Sequence, residues 1–546
     1  MKVCIIALQR SLNCFKLACF RLRCFVGGAV GGAVGWLLAS GLVFRSVIAC
    51  FLPPGFDEAY YFLYAQHLDW SYFDHPLAVA FSTGMGLWLT GIVSPFTLRL
   101  GALGLFTASL WLLYRTGCWL FGDRAGWLSA VVASLSPLFL LTFGTLSAPD
   151  NALIFCWTLT LYLGAREFFP DYEGPYKPTS RIAWLGLTVG LACLSKYHGV
   201  LLGLGLVGFC GFSRWRALRS RWMLLSVFLF GLCWVPILYW NAQHDWISFR
   251  FQLGDRFALA SGASVFSALT EYSLTNLLGV SLAEIGFLFP TIGLPLWWVT
   301  LTAFRTTQRQ RAQVQFVLWT GLPTALGFTL IGGLTHIYPA WPAPGLWCLT
   351  LLLGQAAMRW PKPRVRRWLQ GTGLLVGTLL LFALTHITLG TLQKPGQYAL
   401  FGGFVAPQQD PSTALIDVMA LRRQLSELEA FGEAIATTDF VLTHEFWLSG
   451  YVAMALPPLV DLPVSAFTED PRGHAFWFSP PDWIGKNALF LSLADFDQSV
   501  VVDEIFPYFQ SVTLIDTVDI KRGNAVTETF YLYRAHRMIK PYPYPY

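Results

Sequence analysis

The chain has 546 residues, of which 55% are hydrophobic, 16% aromatic and only 12% charged. This charged share is about half of the roughly 25% that is usual in soluble domains, which excludes a soluble enzyme of this length. Apolar runs of membrane length, roughly 20 residues, recur along the chain. The composition therefore predicts a polytopic α-helical membrane protein.

Eleven membrane spans are expected before residue 392. The first run is long and lacks a cleavage signal, so it is interpreted as an uncleaved first span. Two further apolar stretches, at 57–70 and 76–92, are expected to form helices that lie along the membrane surface. The eleven spans are predicted at 25–51, 96–120, 125–145, 151–168, 182–195, 199–212, 223–240, 277–304, 313–333, 341–358 and 369–391.

The net charge is +6, and the distribution of Lys and Arg along the chain is more informative than this total. Lys and Arg concentrate in alternate loops, starting with the basic segment 1–24, whereas the loops on the other side hold only Lys196, Arg250 and Arg256. Loops rich in Lys and Arg stay in the cytoplasm. We therefore expect a cytoplasmic N-terminus and an extracytoplasmic C-terminus.

The composition changes near residue 392, where a linker rich in Gly, Pro and Gln begins. Beyond it, 415–435 has helical periodicity, and four runs resemble strands, at 440–445, 487–493, 511–518 and 527–535. None of the eleven Cys residues lies beyond Cys348, so no disulfide is expected there. Three regions are predicted: a cytoplasmic segment 1–24, a membrane domain 25–391 with a first outer loop at 52–95, and an extracytoplasmic α/β domain 392–546 that ends in a mobile tail.

The first outer loop contains two adjacent carboxylates, Asp57 and Glu58, and the stretch 53–76 has no Lys or Arg. Adjacent carboxylates repel each other, and we expect no local cation to relieve this pair. They suit a general base, a metal ligand or both, although such acids also cap helices or face solvent. No ligand spacing demands a metal, and no cofactor is required; if a divalent ion binds, Asp57 and Glu58 are its expected ligands.

Polar residues in the other outer loops add to this inventory. Asp150 precedes a helix, so it is equally well a helix cap or a second functional acid. Lys196 lies in a very short turn between apolar spans and requires an anionic partner, either a carboxylate or a ligand phosphate. Arg250 and Arg256 supply two more cations. The remaining residues expected to line a substrate cavity are Tyr60, Tyr61, Asp74, His75, Tyr197, His198, Asn241, His336 and Trp341.

Carboxylates, isolated cations and aromatic rings together can hold a sugar and a phosphate at a membrane surface. The sequence has no Walker or H-E-x-x-H pattern, which argues against a nucleotide-driven pump or a zinc protease of that type. No feature indicates a nucleic-acid partner. The expected partners are membrane lipids, a sugar donor and an acceptor.

Five stretches resemble, in order, the motifs of the family-39-type glycosyltransferases. These are bacterial membrane enzymes similar to protein mannosyltransferases and related to the aminoarabinose and galacturonosyl transferases of lipid A and lipopolysaccharide. The resemblance covers about residues 40–350, and "PAWPAP" here replaces the "NWPAP" of many relatives, so the Asn of that motif has no counterpart. The matching stretches are "DEAYYFLYAQHLDWSYFDHP", "SAPDNALIFCWTL", "GLACLSKYHGVLLG", "PILYWNAQHDWISFRFQL" and "HIYPAWPAP".

The resemblance implies the C-type membrane glycosyltransferase (GT-C) fold. It also implies transfer of a hexose or pentose from a polyprenyl-phosphate donor, on the extracytoplasmic face, to a lipid-linked glycan, a cell-envelope glycan or a protein. Asp57 would be the catalytic base of an inverting displacement, assisted by Glu58. Asp150 would be the second acid of the cavity, and the donor phosphate would be held by Lys196, Arg250 and Arg256.

Two other classes of function remain open from the residues alone. A transporter or flippase of lipid-linked sugars would also have many spans and few intramembrane charges. A non-catalytic scaffold that binds sugars or lipids would use the C-terminal domain as its working part. The identity of the sugar and of the acceptor is not encoded in any local pattern.

Overall fold

The structure is a computed structural model that describes residues 29–171, 174–254, 272–305, 310–457 and 459–546. The basic segment 1–24 and Arg256, both singled out above, lie outside the described residues. We use "first loop" for residues 52–95 and "C-terminal domain" for the part that follows the last long membrane helix.

The first two thirds of the described chain is a helical bundle. In chain order its helices are α1 (Ala29–Phe51), α2 (Phe56–Gln66), α3 (Ala78–Thr90), α4 (Pro95–Leu98), α5 (Leu100–Phe121), α6 (Asp123–Leu135), α7 (Pro149–Phe168), α8 (Arg181–Ser195), α9 (Gly199–Ser213), α10 (Trp215–Leu218), α11 (Arg221–Gln243), α12 (Ile247–Leu253), α13 (Leu274–Leu288), α14 (Pro290–Ala303), α15 (Arg311–Ile331), α16 (Ala343–Ala357) and α17 (Lys362–Leu389).

At least one helix overlaps each of the eleven predicted spans, although α6 ends at Leu135, well before the predicted end of the span 125–145. Four helices, α1, α11, α15 and α17, are long and apolar enough to cross a membrane unaided. Helices α8, α9 and α16 are apolar but shorter. The described structure is thus that of a multi-pass membrane protein, as the composition predicted.

The predicted single span at 277–304 is wrong in one respect, because the helix is broken. Helices α13 and α14 meet at an angle of 118°. Between them Phe289 has a positive φ of 75°, and Pro290 follows. Proline lacks a backbone N–H and disfavours helical geometry at the preceding residue, which explains why the helix ends there.

Small residues allow the bundle helices to approach closely. A Cβ atom added to Gly186 on α8 would lie 2.0 Å from the carbonyl oxygen of Ser226 on α11. One added to Gly205 on α9 would lie 2.2 Å from the carbonyl oxygen of Trp319 on α15. These contacts bring α8 against α11 and α9 against α15.

The C-terminal domain has α/β architecture, as predicted. Its five strands form one sheet in the order β2-β1-β3-β5-β4, in which β2, β1 and β3 are parallel and β5 pairs antiparallel with β3 and β4. The strands are β1 (Phe440–Thr443), β2 (Val464–Ala466), β3 (Ala488–Leu493), β4 (Phe509–Arg522) and β5 (Ala525–Met538), and the helices are α18 (Val418–Glu427), α19 (Glu429–Ile435), α20 (Phe446–Ala455), α21 (His474–Trp477) and α22 (Gln498–Ile505).

Sequence reasoning found four of the five strands and missed β2, which has only three residues. The helix predicted at 415–435 is interrupted at Leu428, whose extended backbone separates α18 from α19. The turn predicted between the last two strands is present, and Gly523 adopts a positive φ of 60° in it, a conformation that glycine tolerates.

The C-terminal domain packs directly on α2 of the first loop. A Cβ atom added to Gly450 on α20 would lie 2.1 Å from the carbonyl oxygen of Ala59, so the two helices touch through their backbones. Every residue from 58 to 65 of α2 is buried. The prediction that this segment is a surface helix with its tyrosines in the headgroup zone is therefore wrong, since α2 is part of the core of the C-terminal domain.

The last residues of the chain, predicted to be a mobile tail, pack on the protein. The ring of Tyr542 stacks on Phe467 at 4.5 Å between centroids. The hydroxyl of Tyr544 donates to the carbonyl oxygen of Ala466 at 3.0 Å. Tyr546 stacks on Phe73 of the first loop at 5.2 Å. The tail thus connects the edge of the sheet to the first loop.

Candidate active site

Glu58 is locked into a buried ion pair with Arg99, the residue that immediately precedes α5. The guanidinium donates to both carboxylate oxygens of Glu58, at 2.8 and 2.6 Å, and both side chains are buried. The backbone N–H of Ser147 also donates to Glu58, at 2.8 Å. The expectation of two acids without a nearby cation is therefore wrong for Glu58, because Arg99 neutralises it from 41 residues away.

Asp57, in contrast, is exposed in the first turn of α2. A carboxylate at this position is stabilised by the positive end of the helix dipole. The preceding backbone is fixed, because Gly55 donates its N–H to Glu58 at 3.1 Å and Arg99 binds the carbonyl oxygen of Pro53 at 3.1 Å. The Glu58–Arg99 pair thus sets the position from which Asp57 projects.

Asp150 and Lys196 form a second buried ion pair. The ammonium of Lys196 lies 3.0 and 2.9 Å from the two carboxylate oxygens of Asp150. Asp150 lies in the first turn of α7, and Lys196 follows the last residue of α8. The anionic partner that the sequence required for Lys196 is therefore this carboxylate.

The two ion pairs belong to one region. Ser147, whose N–H binds Glu58, is three residues before Asp150 in the chain. The hydroxyl of Ser147 also makes a 2.8 Å hydrogen bond with Thr83 of α3. The loop before α7 thus connects the first loop to the Asp150–Lys196 pair.

Asp74 joins the first loop to the C-terminal domain. Its buried carboxylate accepts a hydrogen bond from the hydroxyl of Tyr64 and pairs with Arg472 at 3.2 Å. Arg472 also binds Asp470 at 3.1 Å. Burial alone would lower the pKa of Arg472, but Asp74 and Asp470 raise it above its ordinary value, so this guanidinium stays charged.

A cluster of buried polar side chains lies beside Lys196. Three oxygens in it, Ser71 Oγ, Tyr197 Oη and Asn241 Oδ1, are buried and have no hydrogen-bond partner among the residues that the structure describes. Burial raises the pKa of the Tyr197 hydroxyl to about 12, against a lowering effect of the nearby side chains of Ser248, Ser71 and Asn241. A buried polar group without a partner costs about 1–3 kcal/mol, so this cluster is suited to bind an added hydroxyl or water.

Aromatic and imidazole rings form a wall next to this cluster. His198, two residues after Lys196, packs on Phe328 at 4.7 Å and on Trp341 at 6.0 Å between centroids. Trp341 is buried. His336 is exposed and contacts the ring of Tyr338 edge-on at 5.1 Å. Of the two predicted histidines in these turns, His198 is the one adjacent in the chain to the Lys196 segment.

Some predicted cavity residues serve packing in the described structure. Tyr60 is fully buried, and its hydroxyl accepts the N–H of Gly473 at 3.0 Å, so it packs against the C-terminal domain. Tyr61 is also buried, with its ring edge-on to His75 at 5.6 Å. Arg250 is exposed on α12.

Sequence reasoning missed several residues that shape the site. Arg99 was assigned to a membrane span, although a cation within an apolar run was itself a signal that an anionic partner is needed. Arg472 and Ser71 had no local signal, because their partners lie in distant segments. Asp69 was interpreted from the sequence as a merely solvated loop acid, yet its carboxylate accepts the indole N–H of Trp240 at 2.8 Å and so fixes the end of α11.

A metal site at the adjacent acids does not fit this arrangement. Both carboxylate oxygens of Glu58 are engaged by Arg99 and by the N–H groups of Ser147 and Gly55. In the described parts of the chain, no group of three or more His, Cys, Asp and Glu side chains converges as it would around a metal ion.

Comparison of the sequence with known proteins identifies a matching family and a relative. Residues 74–240 match the family described as dolichyl-phosphate-mannose-protein mannosyltransferase. The lipid A galacturonosyltransferase RgtD of Rhizobium johnstonii is 24% identical over 312 residues, which are 56% of this chain and 61% of that protein. The match thus spans less than two thirds of this relative's length.

The overall fold matches that of ArnT from Cupriavidus metallidurans. The apo structure of ArnT gives a TM-score of 0.58 at 15% identity, over 92% of this chain and 98% of ArnT. The ArnT structure bound to undecaprenyl phosphate gives a TM-score of 0.56 with the same identity and coverage. This chain therefore shares the fold of ArnT and is similar in sequence to RgtD and, over residues 74–240, to the dolichyl-phosphate-mannose-protein mannosyltransferase family.

Proposed function

We propose that this protein transfers a sugar from a polyprenyl-phosphate donor to a lipid-linked or cell-envelope glycan, with Asp57 as the general base. The observation that supports it best is the contrast between the two neighbouring acids. Glu58 is saturated by Arg99 and two N–H groups, whereas Asp57 is exposed at the start of a helix that this pair holds in place. RgtD is named as a galacturonosyltransferase of lipid A, which agrees with a lipid-linked acceptor. The ArnT structure contains undecaprenyl phosphate, which agrees with a polyprenyl-phosphate donor.

In the proposed reaction, Asp57 removes the proton of the acceptor hydroxyl as its oxygen attacks the anomeric carbon. The bond between this carbon and the phosphate oxygen breaks, and the polyprenyl phosphate leaves with the electron pair. One displacement inverts the anomeric configuration. Glu58 acts as a positioning residue in this scheme, because its oxygens are already engaged.

The Asp150–Lys196 pair is proposed to meet the donor phosphate. An ammonium has three N–H donors, and the two contacts with Asp150 leave one for a phosphate oxygen. Asp150 also prevents Lys196 from standing as an uncompensated charge before the donor binds. Arg250 is exposed on α12 and remains a second candidate phosphate ligand, as does Arg256 outside the described residues.

The buried cluster of Ser71, Tyr197 and Asn241 is proposed to bind sugar hydroxyls. These side chains are neutral, and their unpartnered oxygens would each gain a hydrogen bond from a bound sugar. Tyr197 follows Lys196 in the chain, and Ser71 and Asn241 lie beside the Tyr197 hydroxyl. A sugar whose phosphate is bound near Lys196 would therefore reach all three side chains. Asp74, His75, His198, His336 and Trp341 are proposed to complete the cavity.

The proposed function includes an orientation of the protein in the membrane. We place the first loop and the C-terminal domain on the extracytoplasmic side of a bacterial inner membrane, with the N-terminus in the cytoplasm. The division into segments 1–24, 25–391 and 392–546 belongs to the same proposal. The supporting observation is the concentration of Lys and Arg in the loops at the opposite end of the bundle.

The first prediction tests the base. Asp57→Asn should keep the fold and lower transfer by at least about a hundredfold, which is the lower end of what a general base contributes. The assay uses membranes with labelled undecaprenyl phosphate carrying galacturonic acid or mannose, and lipid A as acceptor. The matched control is Asp123→Asn, which alters an exposed acid at the other end of the bundle.

Near-normal transfer by Asp57→Asn would contradict the base assignment. Movement of labelled donor across sealed vesicles without a covalent product would instead indicate a transporter. Loss of transfer in Asp57→Asn, with full activity in Asp123→Asn and unchanged thermal unfolding in both, supports the enzyme.

A further inference from the structure

An apolar groove opens on the side of the bundle formed by α8, α9 and α11, away from the candidate active site. Its volume is about 290 Å³. The lining is almost wholly hydrocarbon, with side chains such as Leu185 and Val189 of α8, Val207 of α9 and Phe230 of α11. Several of these lining side chains, including Val207, remain exposed, so the groove is open to the lipid phase.

The groove has the length of one lipid leaflet. Along α9 it runs from Val200 to Cys210, and ten residues of helix rise about 15 Å. This is half of the roughly 30 Å hydrocarbon core of a bilayer. A groove of this length accommodates one acyl chain from one side of the membrane.

One end of the groove meets a strongly basic turn. Ala217, Leu218 and Met223 line that end, and the stretch 214–223 contains four arginines and no acid. Arg216, Arg219 and Arg221 are exposed. Among the described residues, no carboxylate forms an ion pair with them.

Two tryptophans pack on two of these arginines. The guanidinium of Arg219 lies 4.7 Å from the ring centre of Trp215, and that of Arg221 lies 4.8 Å from Trp222. Tryptophan rings favour the interface between headgroups and acyl chains. Arg214 differs, because it binds the carbonyl oxygen of Phe168 at 3.1 Å and closes the end of α7.

We propose that this groove is a binding site for an anionic phospholipid of the leaflet at the basic end. One acyl chain fills the groove, and the phosphate lies among Arg216, Arg219 and Arg221. Charge complementarity selects the anionic headgroup, and the groove length selects a chain of one leaflet. The site is separate from the donor site, since α8 runs from the basic end at Arg181 to Ser195 beside Lys196, about 22 Å away.

The test measures lipid binding to the purified full-length protein by native mass spectrometry. The probes are phosphatidylglycerol and phosphatidylcholine with identical acyl chains, added to the protein in detergent. We expect phosphatidylglycerol to bind at least tenfold more tightly. The triple variant Arg216→Gln, Arg219→Gln, Arg221→Gln should lose on the order of a hundredfold, since each basic residue near a membrane contributes about fivefold.

Two matched controls separate a site from general attraction. Arg364→Gln, Arg366→Gln, Arg367→Gln removes the same charge from the exposed start of α17, outside this groove, and should leave the preference intact. Val207→Trp fills the groove and should weaken phosphatidylglycerol binding, whereas Leu232→Trp, on a lipid-facing position outside the groove, should not.

Equal binding of the two lipids would overturn the proposal, as would equal losses in the two arginine triples. Displacement of phosphatidylglycerol by equimolar undecaprenyl phosphate would also overturn it, because the occupant would then be a prenyl lipid. If Val207→Trp fails to fold, the arginine comparison alone decides the question.

Discussion

At the residue scale, the site is organised by ion pairs buried between helices. Glu58 with Arg99 and Asp150 with Lys196 are nearly inaccessible to solvent. Desolvating such charges is costly, and their attraction offsets this cost only when geometry and hydrogen bonding are good. Both pairs have bidentate contacts that meet this condition. Removing one partner leaves a buried charge, so single substitutions should be more harmful than double ones.

The Asp150–Lys196 pair gives the second prediction. Asp150→Asn or Lys196→Met alone should lower the free energy of unfolding by about 3–5 kcal/mol, because each leaves one buried charge unpaired. The double variant should recover most of this loss while transfer stays abolished, since Lys196 is proposed to bind donor phosphate. Thermal unfolding followed by tryptophan fluorescence, together with the transfer assay, checks both parts. An active double variant would remove Lys196 from the mechanism.

His444 gives the third prediction, which concerns pH. Both of its ring nitrogens lack a hydrogen-bond partner among the described residues, Phe496 packs on it at 4.2 Å, and burial lowers its pKa to about 4. The unfolded chain binds this proton near pH 6.5 and the folded chain only near pH 4. The stability due to neutral His444 is therefore complete above pH 6.5 and declines as the pH falls, by up to about 3 kcal/mol.

Replacing His444 with Phe should reduce the acid sensitivity of the C-terminal domain by about 1.4 kcal/mol per pH unit between pH 6 and 4.5. Hydrogen exchange of the β1 amides in the full-length protein, followed as a function of pH, measures this change in stability. The His444→Phe variant should keep part of its acid sensitivity, because burial also lowers the pKa of His474, to about 3. His536→Phe is the control, because that side chain is exposed and should leave the slope unchanged. Identical slopes in wild type and His444→Phe would refute the explanation.

At the element scale, α2 connects the two parts of the molecule. One end of it carries Asp57, and its remaining length is packed against α20. The hydroxyl of Tyr451 on α20 donates to the carbonyl oxygen of Pro54 at 3.0 Å, which fixes the turn before α2. The position of the proposed base thus depends on contact with a helix almost 400 residues later in the chain.

The fourth prediction tests this contact. Gly450→Val places atoms against the backbone of Ala59, which cannot move aside cheaply, and should destabilise the protein by about 1–3 kcal/mol. Because α2 must shift, transfer should fall further than stability alone explains. Gly432→Ala on α19 is the control: no atom lies within 4 Å of its added Cβ, so it should be neutral or stabilising by about 0.5–1 kcal/mol. Full transfer by Gly450→Val would show that α2 does not need this contact.

At the scale of the whole molecule, the C-terminal domain closes over the first loop. Arg472, in the loop after β2, reaches Asp74 and lies 3.9 Å from the ring centre of Phe446. The tail adds Tyr546, which stacks on Phe73 and whose hydroxyl accepts the N–H of Arg472 at 2.8 Å. At the other edge, Asp410 binds His386 at the end of α17 at 3.0 Å, so the domain is held at two separate points.

The fifth prediction concerns the Asp74–Arg472 contact. Arg472→Met should cost roughly 3 kcal/mol, since it leaves the buried Asp74 carboxylate with the Tyr64 hydroxyl but without its cation. Adding Asp74→Asn to Arg472→Met should restore part of this loss. The double-mutant cycle then measures the coupling free energy between the two side chains. Arg423→Met, at an exposed position of α18, is the control and should change stability by less than about 0.5 kcal/mol. A coupling near zero would mean that the pair does not hold the domain.

Much of the fold could be predicted from the sequence, because the relevant signals are local. The length of an apolar run places a membrane helix, and alternation with a turn places the β4–β5 hairpin. The charge of Lys196 in an apolar turn is by itself enough to require an anionic partner. Even the break in the span 277–304 had a local signal in Pro290.

The sequence by itself determined the membrane bundle, the α/β character of the C-terminal domain and the set of polar residues available for chemistry. Tertiary structure alone decided which of them are paired: Glu58 with Arg99 across 41 residues, Lys196 with Asp150 across 46, and Asp74 with Arg472 across 398. It also buried α2 under α20, turning expected surface tyrosines into core residues. The physical reason is that a pattern along the chain reports solvation and periodicity, whereas the neutralisation of a charge depends on groups that only folding brings within a few ångströms.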